Sequence, residues 1–568
     1  MIRWQRFFPF LAWPRLSGSL LRGEAMAGLT VGLMVIPQGV AYATLAGLPP
    51  ITGIYAAMLP TLVGVLFSAS TRLAVGPTAL SCLLVSTSLT GLAEPGSAQW
   101  VELAVWLALL AGLLQIVLGL VRFGWLLNLV NAPVLMAFTQ AAALLIIGSQ
   151  LPGLLGLQGD WSGALSAAGW HLPSLAFGLG SLLALMLARR WRPGFPSVLL
   201  VVLATSGISY GIGFEALGGR VIGPLPHQLP SLALPGWPGW AVLSQLLLPT
   251  LIITLVSFLE TAASAKVDNG QQDQLWNQNQ DLLGQGLAKI ASALSGSFPT
   301  STSFSRSALN LYAGARSGWA TVFSVVVVTL CLLVFTPLLQ HVPRAVLAAI
   351  VLVAVLSLVK PGAFVRLWRI SRTEALIAVS TFAITLLASP QLHWGVIAGV
   401  IMALSHFLYQ RLHPRIIEVG LHADGSLRDR HLWHLPPLRP HMYAMRMDAA
   451  LDFATASALE RAITERLATQ PDTHHVVIFA QAFNWIDASG VEMMGILCPR
   501  LREKGVTLHL VGLKLPIETV LRKAGALEDG PGLRLYRTDA EALHAFAKKH
   551  MGDTIVDQGD SLVGPVGS

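Results

Sequence analysis

From about residue 25 to residue 411 the chain is a succession of apolar stretches separated by short loops, with few charges between them. In hydrocarbon every backbone N–H and C=O must find its partner inside the protein, so stretches of this kind fold as helices. About fourteen can be read, at 25–45, 51–68, 77–92, 101–120, 125–150, 174–189, 196–213, 241–265, 282–296, 303–312, 318–338, 345–358, 372–388 and 393–411. A full crossing needs roughly 20 apolar residues, and several segments are shorter, the third and tenth most notably. Short, interrupted helices are where membrane proteins build sites at bilayer depth.

The 568 residues are 54% hydrophobic and only 12% charged, which excludes an ordinary soluble enzyme. Charges are sparse up to about Gln410, and from Arg411 the chain takes on a soluble protein's mixture. The expected division is an N-terminal cytoplasmic or interfacial segment (1–23), a transmembrane domain (24–412), a linker (413–440), a soluble domain (441–549) and a disordered tail (550–568). With the N-terminus inside, Arg72, Arg122, Arg189, Arg190, Arg192, Lys266, Arg316, Lys360, Arg366, Arg369 and Arg372 fall on the cytoplasmic side, against Arg220 and Arg344 outside. Positive charge on the inner side is the expected bias, and it leaves the charged tail in the cytoplasm of a cell-membrane protein. MIRWQRFFPFLAWPRL lacks a clean apolar core and a cleavage site, and reads as an interfacial anchor. The net charge of +8 comes from scattered basic residues with no basic, aromatic-interleaved stretch, so no nucleic-acid partner is implied. Cys82, Cys331 and Cys498 are too far apart for a metal motif and read as small buried hydrophobes.

The third and tenth segments lie seven apart and each follows a proline among small residues: Val75-Gly76-Pro77-Thr78 and Phe298-Pro299-Thr300-Ser301. Proline suits a helix's first turn, so both segments can start at mid-membrane with free N–H groups facing one cavity. A helix N-terminus carries about half a positive charge, and two facing ones favour an anion. The tenth segment lies in PTSTSFSRSALN, which carries Arg306 among hydroxyl side chains, the wrong chemistry for a lipid-facing helix. Glu260 sits inside LIITLVSFLETAASA and must be neutralised or protonated there. A solute competing for Arg306 then couples to proton uptake on Glu260; the alternative is a structural Glu–Arg pair. Ser264, four residues on, shares its helix face.

AGLTVGLMVIPQGVAYATLAGLPPITGIYAAMLPTLVGVLFSASTRLAVGPTAL (27–80) resembles the signature region of the SulP / solute carrier 26 anion transporters. DLLGQGLAKIASALSGSFP, with Gln285-Gly286, and SFSRSALN match as well. The resemblance implies an α-helical polytopic fold of seven plus seven inverted segments, divided into core and gate domains, working as a homodimer. It also implies that Gln38, Tyr42, Gly76, Thr78, Ala79, Ser303, Ser305 and Arg306 line the substrate site, and that Glu260 and Ser264 serve proton or cation coupling. Taken alone, Tyr42 reads equally as a packed aromatic and Gln38 as a helix–helix hydrogen bonder; Gly28 and Gly32 read as close-packing positions.

The expected function is secondary active transport of an inorganic anion by alternating access, sulfate with a proton. Bicarbonate with sodium and a dicarboxylate with protons remain alternatives on the same scaffold. An anion-sensing scaffold that signals through the tail is the alternative of another class. No cofactor is implied beyond a coupling ion, H+ or Na+. Gly207-Ile-Ser-Tyr-Gly211 matches a GxSxG pattern but lies in an apolar helix without a preceding strand, so no hydrolase is implied. His431/His434 and His474/His475 lack further ligands and read as surface histidines.

In the tail, strands such as HVVIFA and VTLHLVG alternate with helices, the pattern of an α/β unit. VVIFAQAFNWIDASGVEMMGIL resembles the core of STAS domains. Their anti-sigma antagonists are phosphorylated on a serine in the place of Ser489, which makes Ser489 a possible regulatory residue or, more simply, a helix N-cap.

Overall fold

The computed structural model describes residues 8–125, 131–157, 170–191, 197–226, 228–271, 275–334, 339–527, 530 and 532–548. The expected tail 550–568 and residues 1–7 of the expected anchor lie outside them. The chain divides into two compact units, 1–403 and 404–568.

The first unit is helical, and its elements run α1 (Gly18–Leu45), α2 (Pro50–Ala56), α3 (Leu59–Phe67), strand β1 (Val75–Gly76), α4 (Ala79–Leu89), α5 (Ala98–Leu120), α6 (Ala132–Leu154), α7 (Leu172–Trp191), α8 (Ser197–Gly211), α9 (Trp240–Gln271), α10 (Gln278–Leu294), strand β2 (Ser301–Thr302), α11 (Phe304–Tyr312), α12 (Trp319–Val334), α13 (Arg344–Leu356), α14 (Gly362–Ile370), α15 (Arg372–Leu387) and α16 (His393–Leu412), which runs across the division. With α2 and α3 as one broken crossing, each expected apolar segment has its helix. Among the described residues six helical spans are long and apolar enough to cross a bilayer. The addition is α14, which carries Arg366, Trp368 and Arg369 and buries no residue, the character of a helix lying in an interface.

Packing sorts the helices into two groups. In one, α1 lies against α12, and α10 against α3 and α5; in the other, α6 and α7 lie against α13, and α6 against α15. The first and eleventh segments form one tight pair and the eighth and fourth, α9 and α5, another, seven segments along, as an inverted repeat requires. Small residues set these approaches. A methyl on Gly28 would stand 2.5 Å from the Ala320 carbonyl oxygen, and one on Gly32 2.9 Å from that of Ser324, so both are close-packing positions. Just before α1, Trp13 stacks edge-on against Trp319 at 5.5 Å, and Phe8 and Phe10 lie against Phe67.

Glu24, near the start of α1, is fully buried. Its carboxylate accepts from Arg316 N (3.1 Å), Ser317 Oγ (2.8 Å) and Ala320 N (2.9 Å), satisfying orphan donors where α12 begins. Ser209 of the GxSxG pattern is buried within α8, and no strand lies between α7 and α8 among the described residues.

The second unit is an α/β sandwich. Its sheet has the order β4-β3-β5-β6-β7-β8, from strands Ile416–Leu421 (β3), Leu427–Asp429 (β4), Met442–Met447 (β5), His475–Phe479 (β6), Thr507–Val511 (β7) and Leu533–Tyr536 (β8). The last four are parallel, while β3 runs antiparallel to β4 and β5. Residues 413–440, expected to be a linker, thus supply two strands; their short alternation and many charges disguised a sheet edge. Side chains alternate along β6: Val476 and Ile478 join a core with Leu459 of α17 (Ala456–Thr469), Met494 of α18 (Ala488–Glu503) and Ile517 of α19 (Leu515–Lys523). Val477 and Phe479 face Phe546 of α20 (Asp539–Lys548) on the other side.

Candidate functional site

The two short segments meet head to head. β1 and β2 pair antiparallel, Val75 opposite Thr302 and Gly76 opposite Ser301, so the half-helices that follow them start side by side. Thr78 caps α4 by accepting from Ser81 N at 3.3 Å, and Ser303 caps α11 by accepting from Arg306 N at 3.4 Å. A further bond runs from Ser303 N to the Ala74 carbonyl at 3.0 Å, and Ser307 Oγ accepts from Ala74 N at 3.0 Å. Two chain segments more than 220 residues apart are thereby locked into one crossing.

Arg306 is 1% exposed. Its Nη1 donates at 2.8 Å to the Pro77 carbonyl, which precedes the Thr78 cap and so takes no bond from α4, and its Nη2 is buried without a partner among the described residues. Gly76 has φ of +151°, and a methyl there would stand 3.3 Å from Nη2. Only glycine lets the guanidinium lie this close to the strand. Glu260, half-buried on α9, accepts from Thr78 Oγ1 at 3.3 Å and makes no ion pair with Arg306 among the described residues. A structural Glu–Arg pair is therefore not what is built.

Gln38 and Tyr42 lie one turn apart on α1, both buried, with Gln38 Oε1 unpartnered. Pro37 sits within α1 just before them. Tyr42 lies within electrostatic reach of Arg306 and Glu260, and Ala79 is buried in the first turn of α4. Gly76, Thr78, Ala79, Ser303, Arg306, Glu260 and Tyr42 thus come together. Ser305 is exposed and only neighbours Ser303, at 3.3 Å between hydroxyls. Ser264 returns its hydroxyl to the Glu260 carbonyl at 3.1 Å. Ser489 lies in the second unit, exposed in the first turn of α18, and the cap there is Asp487, which accepts from Gly490 N at 2.9 Å. The expected capping role of Ser489 is corrected accordingly: the residue before the helix has the extended backbone that a cap needs, and that residue is Asp487.

Two groups behind the crossing went unassigned in sequence. Gln285, 0% exposed, donates to Thr302 Oγ1 at 3.0 Å, and Thr261 Oγ1 meets the same hydroxyl at 3.0 Å. Lys289, also 0% exposed, donates to Gln115 Oε1 at 3.0 Å. In sequence α10 is amphipathic, so a lysine on it reads as surface; its burial between α5 and α9 had no local signal. Of the histidines, His431 bonds Glu418 Oε2 at 3.2 Å, and His475 is half-buried, its Nδ1 3.2 Å from His509 Nε2 across β6 and β7.

Half-helices meeting at their N-termini inside a multi-pass helical bundle, with a buried cation between them, define the class of broken-helix membrane transporters. Residues 21–381 match the model of the sulfate permease family and residues 437–542 that of the STAS domain. The chain is 30% identical over 553 residues to probable sulfate transporter 4.2 of Arabidopsis thaliana, covering 92% of this chain and 80% of that one. It is 29% identical over 542 residues to a probable sulfate transporter of Mycobacterium tuberculosis, covering 93% and 96%. In fold it is similar to SLC26A9, with a TM-score of 0.85 at 18% identity, covering 96% of this chain and 93% of that one. The transmembrane domain of a cyanobacterium bicarbonate transporter, BicA, superposes with a TM-score of 0.57 at 20% identity, covering 68% and 98%. The chain belongs to the sulfate permease family, a family of anion transporters and not of enzymes, and carries a C-terminal STAS domain.

Proposed function

We propose that this protein carries sulfate across the cell membrane by alternating access, with a proton taken up on Glu260. The observation that carries the reading is the buried, half-unpartnered Arg306 at the crossing of β1 and β2, where the N-termini of α4 and α11 already favour negative charge. Its free Nη2 is a donor with nothing to donate to, and an oxyanion supplies the acceptor. Thr78 and Ser303 cap the two half-helices beside it, and Gln38, Tyr42, Gly76, Ala79 and Ser305 are proposed to complete the lining. Glu260 shares Thr78 with the site rather than neutralising Arg306, so an arriving anion is balanced by a proton on that carboxylate. Ser264, bonded back to its own helix, leaves coupling to Glu260 and to H+. The names of the relatives, sulfate transporters in a plant and a bacterium, support sulfate as the substrate.

By the charge bias of the loops, the N-terminus and the STAS domain are proposed to be cytoplasmic. The family resemblance supports a homodimer, and the exposure of Ser489 supports its use as a regulatory site. The test is uptake of labelled sulfate into proteoliposomes under an inward proton gradient, competed by bicarbonate, chloride and fumarate. Arg306→Ala is expected to abolish sulfate binding, and Glu260→Gln to abolish gradient-driven accumulation. Normal sulfate affinity in Arg306→Ala overturns the site, and intact accumulation in Glu260→Gln overturns the coupling.

A further inference from the structure

A lysine in a membrane helix ordinarily runs its stem along apolar surface and delivers its ammonium to water. Lys289 does the opposite. It is 0% exposed, and its ammonium ends on a neutral acceptor, Gln115 Oε1 of α5. Gln115 is itself held by donating to Ser257 Oγ at 2.9 Å and to the Thr254 carbonyl at 3.2 Å, both on α9. No carboxylate lies within ion-pair distance of Lys289 among the described residues, so its charge is not consumed by a local partner. A neutral amide would join α5, α9 and α10 equally well without the cost of a buried charge.

The lysine's network leads to the site. The Ser257 carbonyl accepts from Ser301 Oγ at 3.3 Å, and Ser301 is the β2 residue opposite Gly76. Glu260 is three residues along α9 from Ser257 and within electrostatic reach of Lys289.

We propose that Lys289 is a second fixed cation of the anion site, one that never touches the anion and selects a doubly charged oxyanion over a singly charged one. This rests on the assignment of Arg306 and Glu260 made above. Arg306 and Lys289 contribute two positive charges, and Glu260 contributes one negative charge when ionised and none when protonated. The proton-loaded core therefore balances a dianion. Without Lys289 it balances only a monoanion, and in low dielectric an unbalanced charge is the dominant cost. Gln115 holds the ammonium in place without neutralising it.

The test is labelled sulfate uptake into proteoliposomes, competed by selenate, a dianion, and by nitrate, a monoanion. Lys289→Met is expected to weaken selenate relative to nitrate by about tenfold, the order that one extra unit of attraction yields at an effective dielectric constant of about 20 without direct contact. Lys289→Arg, which restores the charge, is expected to return the ratio towards that of the parent. Should Lys289→Met not be recovered as monodisperse protein, Lys289→Gln is read on the same ratio. An unchanged selenate-to-nitrate ratio in the neutral variants overturns the proposal, as does equal loss of both anions in Met, Gln and Arg variants alike, the mark of a packing role. Failure of the site assignment is separately visible: Arg306→Ala then keeps normal sulfate affinity.

Discussion

Substituting Gly76 with alanine tests the geometry of the crossing without removing any charged group. A methyl there stands 3.3 Å from Nη2 of Arg306 and 3.4 Å from Oγ1 of Thr61, on a residue with φ of +151°. Holding an L residue in that region costs about 1–3 kcal/mol. Moving the guanidinium by a few tenths of an ångström weakens its 2.8 Å bond to the Pro77 carbonyl, and a hydrogen bond from a charged group contributes about 1.5–3 kcal/mol. The two effects act on different quantities, strain on folding and displacement on the anion. Gly91→Ala separates them, since Gly91 has φ of +88° and open space around its Cβ position. Thermal unfolding of the detergent-purified protein, titrated with sulfate, reads both. Each variant is expected to lower the melting temperature in the absence of sulfate. Gly76→Ala alone should raise the sulfate concentration for half-maximal stabilisation, by about tenfold for each 1.4 kcal/mol lost at the guanidinium. If Gly76→Ala binds sulfate as the parent does, the guanidinium does not lie against this strand in the anion-binding state, and the site as drawn is wrong.

Glu24→Ala is expected to lower membrane-domain stability by about 3 kcal/mol, because two of the three donors it accepts from, Ser317 Oγ and Ala320 N, are left buried and unpaired; a melting temperature like the parent's would contradict this. In the STAS domain Asp487→Ala should cost about 1 kcal/mol in chemical unfolding as a lost cap, whereas Ser489→Ala should change stability by under about 0.5 kcal/mol. Burial pushes the Cys498 thiol up to about 11, so it should resist maleimide at pH 8 until the domain is unfolded. Because the folded state favours the protonated thiol, its contribution to stability is full below the ordinary value near 9 and is lost as pH rises towards about 11; unfolding midpoints measured across that range check the sign.

Much of the membrane domain is legible in the chain because hydrocarbon leaves a segment one local solution, the helix, and charges and prolines mark where each ends. The two interrupted segments announce themselves through Pro77 and Pro299 and through Arg306 in a hydroxyl-rich run. The continuous apolar run in HVVIF likewise shows a strand buried on both faces. Residues 413–440 read as a linker because the edge strand β4 needs no apolar run, only backbone partners on β3.

The sequence by itself determined where the apolar helices are and that the third and tenth segments are short and interrupted. Only the tertiary structure decided that β1 pairs with β2, that Glu260 meets Thr78 across 182 residues rather than Arg306, that Glu24 caps a helix at Ala320, 296 residues away, and that Lys289 is buried at all. Helical periodicity gives each side chain an angle about its own axis. Whether a charge at that angle meets lipid, water or another charge is set by the neighbour packed there, and that neighbour comes from a distant part of the chain.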